Sequence, residues 1–131
     1  MAIQVRRNDL VYPELSFKLV GWAYELFNEI GFGHLEKVYQ KGYAALLSEQ
    51  QILFMEQVYM PIKIGDKVIA RLFFDFLIDE KIVVELKKDG LFSKQYIEQV
   101  NQYLKASGLK LALLINFTSQ DVIYKRILNI N

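Results

Sequence analysis

The chain has 131 residues, is 53% hydrophobic, and balances 16 basic against 15 acidic side chains for a formal net charge of +1. That length is one domain with enough chain to bury a core, and the composition excludes a disordered or low-complexity polymer. With no cysteine and one histidine, disulfides, Cys-ligated zinc, iron–sulfur clusters, thiol nucleophiles and multi-histidine sites are excluded, so any metal must be held mainly by oxygen.

Residues 1–131 read as a single domain with a loose N-terminal arm, residues 1–12, whose Arg6, Arg7 and Asp9 do not suit a signal peptide. No apolar run reaches the ~18 residues a membrane span requires, so a cytoplasmic chain with no membrane partner is expected. Pro13 and Glu14 suit a first helical turn, and Phe17, Val20, Tyr24, Phe27 and Ile30 continue at helical spacing to Gly31. A second helix is predicted from Leu35 to Gln50, with Gly33 as its N-cap and Glu36 as the capping acid. From Ile52 the period changes to two. Pro61 marks an edge strand, Gly65-Asp66 a two-residue hairpin turn, Lys67–Ile78 a second strand and Ile82–Lys87 a third. Ser93 is a candidate N-cap for a third helix ending near Gly108, and Lys110–Phe117 reads as a strand buried on both faces. Asp121–Asn131 fits a last strand or a short helix. The order α-α-β-β-β-α-β predicts an α/β fold: a mixed four-stranded sheet in order 1-2-3-4, its third helix a crossover to a parallel fourth strand, with helices packed against it.

Two features stand out against this plan. Asp75 lies in the apolar run Leu72–Ile78, where a lone carboxylate is expensive unless paired or bound to a cation. Glu85 and Lys87, two apart, project from one face of the third strand. Each has an ordinary reading when taken alone: a satisfied buried Asp, and the solvated face of a half-buried strand. Together they say more. A three-residue loop at Asp79–Lys81 sets Asp75 directly opposite Glu85, with Cβ atoms about 5 Å apart, and a divalent cation would remove the like-charge penalty. A two-residue loop would separate them. Glu36 offers a third carboxylate, and Gln99 and Tyr103 lie at i, i+4 on one face of the third helix. His34 and the scattered lysines read as surface residues.

Asp75 followed by Glu85-Leu86-Lys87 resembles the PD-(D/E)XK nuclease signature, and Gly33-His34-Leu35-Glu36-Lys37-Val38-Tyr39 resembles the motif of the GxxExxY family, a branch of that superfamily. Gln99-Val100-Asn101-Gln102-Tyr103 resembles a Gln-x-x-x-Tyr motif of recombination nucleases; Tyr103–Lys110 and Leu113–Phe117 also look typical of the GxxExxY family. The resemblance covers about Leu15 to Ile127. Phe74 stands where the named motif has Pro, and Phe27 where family members often show a His.

The resemblance implies a restriction-endonuclease-like fold and hydrolysis of a phosphodiester in nucleic acid, DNA being the preferred polymer. It implies Mg²⁺, with Mn²⁺ as a substitute, held by Asp75, Glu85, the Leu86 carbonyl and Glu36. Lys87 would stand beside the attacking water, and Gln99 and Tyr103 would orient substrate or Lys87. The competing class is a non-catalytic module that binds nucleic acid or protein on the same fold. A small nuclease cutting both strands would most simply be a two-fold homodimer.

Overall fold

A computed structural model describes residues 11–129. Helix α1 (Pro13–Ile30) opens on Pro13, whose missing N–H is no loss in a first turn, and closes where the Gly31 amide meets the Phe27 carbonyl at 2.8 Å. It is followed by α2 (Glu36–Glu49), β1 (Phe54–Ile64), β2 (Lys67–Ile78), β3 (Ile82–Lys87), α3 (Lys94–Ser107), β4 (Leu111–Phe117) and β5 (Val122–Leu128). The strands form one sheet in the order β1-β2-β3-β4-β5. β3 and β4 are parallel and the other neighbours antiparallel. Both hairpins have the expected loops: Ile64 pairs with Lys67 across Gly65-Asp66, and Ile78 pairs with Ile82 across Asp79–Lys81. Gly65 takes φ +58°, the left-handed conformation that the first position of such a turn demands.

The sheet has one strand more than the four expected. β4 is buried at every position from Leu111 to Phe117, so both of its edges need partners, and β5 supplies the second with continuous pairing from Phe117–Val122 to Leu111–Leu128. The expected loose arm is also corrected where it can be followed. Val11 and Tyr12 pack against the core, and Arg126 donates to the Val11 carbonyl at 2.8 Å; the remainder of 1–12 lies outside the described residues.

Side chains alternate across the sheet into two cores, except across Asp75, where Phe74 and Phe76, two apart on β2, face opposite sides. Phe76, Ile78, Val84, Leu86, Leu113 and Ile115 pack with α1 and α2, through Leu19, Ala23, Tyr43 and Leu47. Phe74, Val83, Ala112 and Leu114 pack with Val100 and Leu104 of α3 on the opposite side. Ser93 caps α3 as expected, its hydroxyl accepting from the Tyr96 amide at 3.1 Å. Gly33 does not cap α2. The capping position is Leu35, extended and without a side-chain cap, and Glu36 is the first helical residue, where it complements the dipole. The α1–α2 link is held instead by His34 Nε2 against the Ile30 carbonyl (2.7 Å) and by the Tyr39 hydroxyl, which donates to the Gly31 carbonyl (2.7 Å). Tyr39 is in turn stacked on Phe117 at 4.2 Å between ring centroids.

Candidate active site

The site forms where β2 loses its neighbours. On one side β1 pairs Glu56 with Phe76 and Val58 with Phe74, and between them Gln57 takes φ +54°. On the other side the last β2–β3 pair is Phe76–Val84. Asp75 therefore pairs with neither strand. A left-handed backbone at a residue such as Gln57 costs ~1–2 kcal/mol and persists only where its surroundings impose it.

Side chains take over the missing bonds. The Asp75 amide donates to Glu85 Oε1 at 2.8 Å, and the Leu86 amide donates to Asp75 Oδ2 at 2.8 Å. Each carboxylate thus accepts from the strand that carries the other. Gln40 of α2 donates to Asp75 Oδ1 at 2.8 Å. Asp75 is 6% exposed and Glu85 8%. Burial pushes the Glu85 carboxyl up to about 8, with the Asp75 charge adding to the rise, against the Asp75 amide, the Tyr96 hydroxyl and Lys87. Burial raises Asp75 as well; the Leu86 amide opposes that rise, and the Glu36 charge adds to it.

Lys87 is the nearby cation, its Nζ 3.9 Å from Glu85 Oε2 and 4.4 Å from the centroid of the Tyr96 ring. The Tyr96 hydroxyl is buried and close enough to Glu85 to act on it, yet meets no partner at hydrogen-bond geometry. Beside Lys87 opens a cleft of ≈ 280 Å³ lined also by Asp89, Ser93, Tyr96 and Gln99.

The structure brings Asp75, Glu85, Leu86 and Lys87 together, and Gln99 shares the cleft beside Lys87. Glu36 acts on Asp75 through its charge, but among the described residues no group of three or more His, Cys, Asp or Glu side chains stands close enough to share an ion. Tyr103 packs on Phe74, ring centroids 4.9 Å apart, and does not line the cleft. Two buried carboxylates, only partly offset by the one nearby ammonium, are oxygen donors that suit a hard divalent cation.

Three contributors escape a reading of the sequence. Gln40 carries a faint signal, since it lies four residues after Glu36 on the same helical face. Tyr96 carries none. Asn116 is a polar residue in an apolar run, the same signal that exposed Asp75. It is wholly buried opposite Lys87. Its Oδ1 accepts from the Gly90 amide (2.9 Å), and its Nδ2 donates to Asp89 Oδ1 (3.1 Å) and to the Leu91 carbonyl (2.9 Å). This clamp shapes the β3–α3 loop that walls the cleft. Asn116→Ala should cost about 2–3 kcal/mol in denaturant unfolding, because it removes three hydrogen bonds made by a buried side chain, one of them to a carboxylate.

A family model for the PD-(D/E)XK nuclease superfamily matches residues 13–127. The chain belongs to the PD-(D/E)XK nuclease superfamily. Divalent metals are the usual cofactors of nucleases of this superfamily. Among solved structures the chain is similar to SSO0001, at 19% identity and a TM-score of 0.52 over 93% of this chain, and it spans 59% of that protein's length. It is also similar to an alkaline exonuclease (LHK-Exo) from Laribacter hongkongensis, at 13% identity and a TM-score of 0.49, with 98% and 72% of the two chains covered. The SSO0001 likeness speaks for the fold alone. No curated protein matches the sequence significantly. Among the described residues no helix is long and apolar enough to cross a membrane.

Proposed function

We propose that this PD-(D/E)XK chain, in its GxxExxY branch, is a metal-dependent phosphodiesterase that hydrolyses nucleic acid, with DNA as the preferred polymer. The observation that carries the reading is the clasp of Asp75 and Glu85, two buried carboxylates bonded to each other's strands, with Lys87 Nζ 3.9 Å from Glu85. Asp75 and Glu85 would hold Mg²⁺ or Mn²⁺, with the Leu86 carbonyl as a further ligand and Glu36 adding its charge from the start of α2. When bound, such an ion polarises a phosphoryl oxygen and lowers the pKa of a water.

The chain's own groups do the rest. Lys87 orients the attacking water and stabilises the negative charge that builds on the phosphoryl oxygens as the P–O bond to the leaving group breaks. The Tyr96 ring seats the Lys87 side chain, and Gln99 contacts substrate in the cleft. Tyr103 supports α3 against Phe74 and acts at a distance. A cytoplasmic homodimer is the simplest working form for cutting both strands. The test is release of acid-soluble nucleotides from labelled DNA with Mg²⁺, with and without EDTA, by the wild type and by Lys87→Ala. No cleavage by the wild type with either metal, on DNA or RNA, would leave the non-catalytic module as the better reading.

A further inference from the structure

The β1–β2 hairpin runs beyond the site. Only Phe76, Leu77 and Ile78 of β2 pair with β3, so from Phe74 outward two strands continue without a third. Alternate residues share a face. Lys67, Ile69, Arg71 and Phe73 are exposed, whereas Val68, Ala70 and Leu72 between them are half-buried. Tyr59 stands opposite Phe73 and Pro61 opposite Arg71. The rings of Tyr59 and Phe73 lie 5.4 Å apart at 43°, and the two residues are 45% and 51% exposed. The row ends at Phe73, two residues before Asp75, where the alternation breaks between Phe74 and Phe76.

Large aromatic side chains exposed together mark an interaction surface, and the charges beside them say for what. Lys67 and Arg71 make no ion pair among the described residues. They sit four residues apart, about 13 Å along a strand. Between that pair and the acids lies only the aromatic step. A row that offers cations and then ring faces suits a polyanion whose phosphates follow the strand and whose bases are free to stack. A duplex would use the cations and leave the rings idle, since its bases are already stacked on one another.

We propose that this face binds single-stranded nucleic acid, with Lys67 and Arg71 on phosphates and Tyr59 and Phe73 stacking on bases, and leads the strand toward Asp75 and Glu85. The direction of travel rests on the nuclease reading, whereas the binding itself does not. The test is fluorescence anisotropy of a fluorescein-labelled oligo-dT with the full chain in EDTA, followed by cleavage assays with Mg²⁺. Tyr59→Ala and Phe73→Ala should each weaken binding about tenfold with unchanged melting, because both side chains are half exposed. Lys67→Ala and Arg71→Ala should each reduce the slope of log K against log salt by about 0.7. Asp75→Asn should bind as the wild type does.

Absence of wild-type binding would overturn the proposal, and so would aromatic variants that bind oligo-dT as tightly as the wild type. If those variants instead convert a dimer to a monomer in light scattering with oligo-dT affinity unchanged, the face pairs with a second copy and the proposal falls. Cleavage that requires Asp75 while all four arm variants bind and cut normally defeats this proposal alone. Lost binding in the arm variants with no cleavage by any protein defeats the nuclease reading alone.

Discussion

Asp75→Asn is expected to lower metal-dependent cleavage by about a thousand-fold and to leave the metal-free protein at least as stable as the wild type. The two outcomes share a cause. Asp75 is a desolvated carboxylate facing another, and its charge is useful only to a cation. The amide keeps the shape and can keep every bond. Its oxygen accepts from the Leu86 amide as Oδ2 does now, and its nitrogen donates to Gln40 once that side chain turns its own amide over; Gln40 meets Asp75 end to end at 2.8 Å. Above about pH 8, where both carboxyls are ionised, relief of the like-charge pair should then appear as a gain of about 1 kcal/mol. Melting curves with and without Mg²⁺ check this directly. The wild type should gain stability from Mg²⁺ by mass action and the variant much less. A variant that loses several kcal/mol, with neither protein responding to Mg²⁺, would make Asp75 a structural carboxylate rather than a metal ligand.

The metal-free wild type should also be less stable near pH 8.5 than near pH 5.5, relative to Glu85→Gln. Burial first, and Asp75 second, hold the Glu85 carboxyl at about 8 in the fold, against 4.5 when exposed. A carboxyl whose folded pKa is raised stabilises the fold fully below the unfolded value. That contribution is lost as pH rises through the folded value, here between about 4.5 and 8. Because Asp75 and Glu85 titrate as a coupled pair, the loss should be ~2 kcal/mol rather than the full amount a lone shifted group would give. Unfolding in denaturant across this range, read as the difference between wild type and Glu85→Gln, isolates the pair from other titrating groups. Divalent ions should reverse the trend: on the proposed function they bind the ionised pair, so the Mg²⁺-induced rise in Tm should grow over the same interval.

How much of this was legible in the sequence varies by element. Asp75 and Glu85 could be set against each other because the Asp79–Lys81 loop has an odd length, as the Ile78–Ile82 pair bears out; the break in alternation between Phe74 and Phe76 could not be foreseen. Their mode of contact could not be read. Alternation predicts two side chains side by side, whereas the strands part at Asp75 and each carboxylate reaches the other's backbone. Gln57 gives no hint of its left-handed backbone, because nothing in a glutamine asks for one. Gln40 and Tyr96 depend on how α2 and α3 are rotated against the sheet, which helical periodicity gives only to within a face. β5 was ambiguous for a different reason. Its buried residues, Val122 and Ile127, are five apart, a spacing that fits neither a two-residue nor a 3.6-residue period.

β4 has a consequence for how the molecule moves. A strand buried at all seven positions and flanked by β3 and β5 is expected to exchange its amide hydrogens only when the whole fold opens, and the two-stranded arm to fray first. Glu85, Leu86 and Lys87 pair directly with β4 at Leu114, Ile115 and Asn116, so they ride on the slowest-opening unit of the chain. Asp75 lies where that unit meets the fraying hairpin. Excursions of the arm therefore pass through one end of the acid pair while the other end stays fixed.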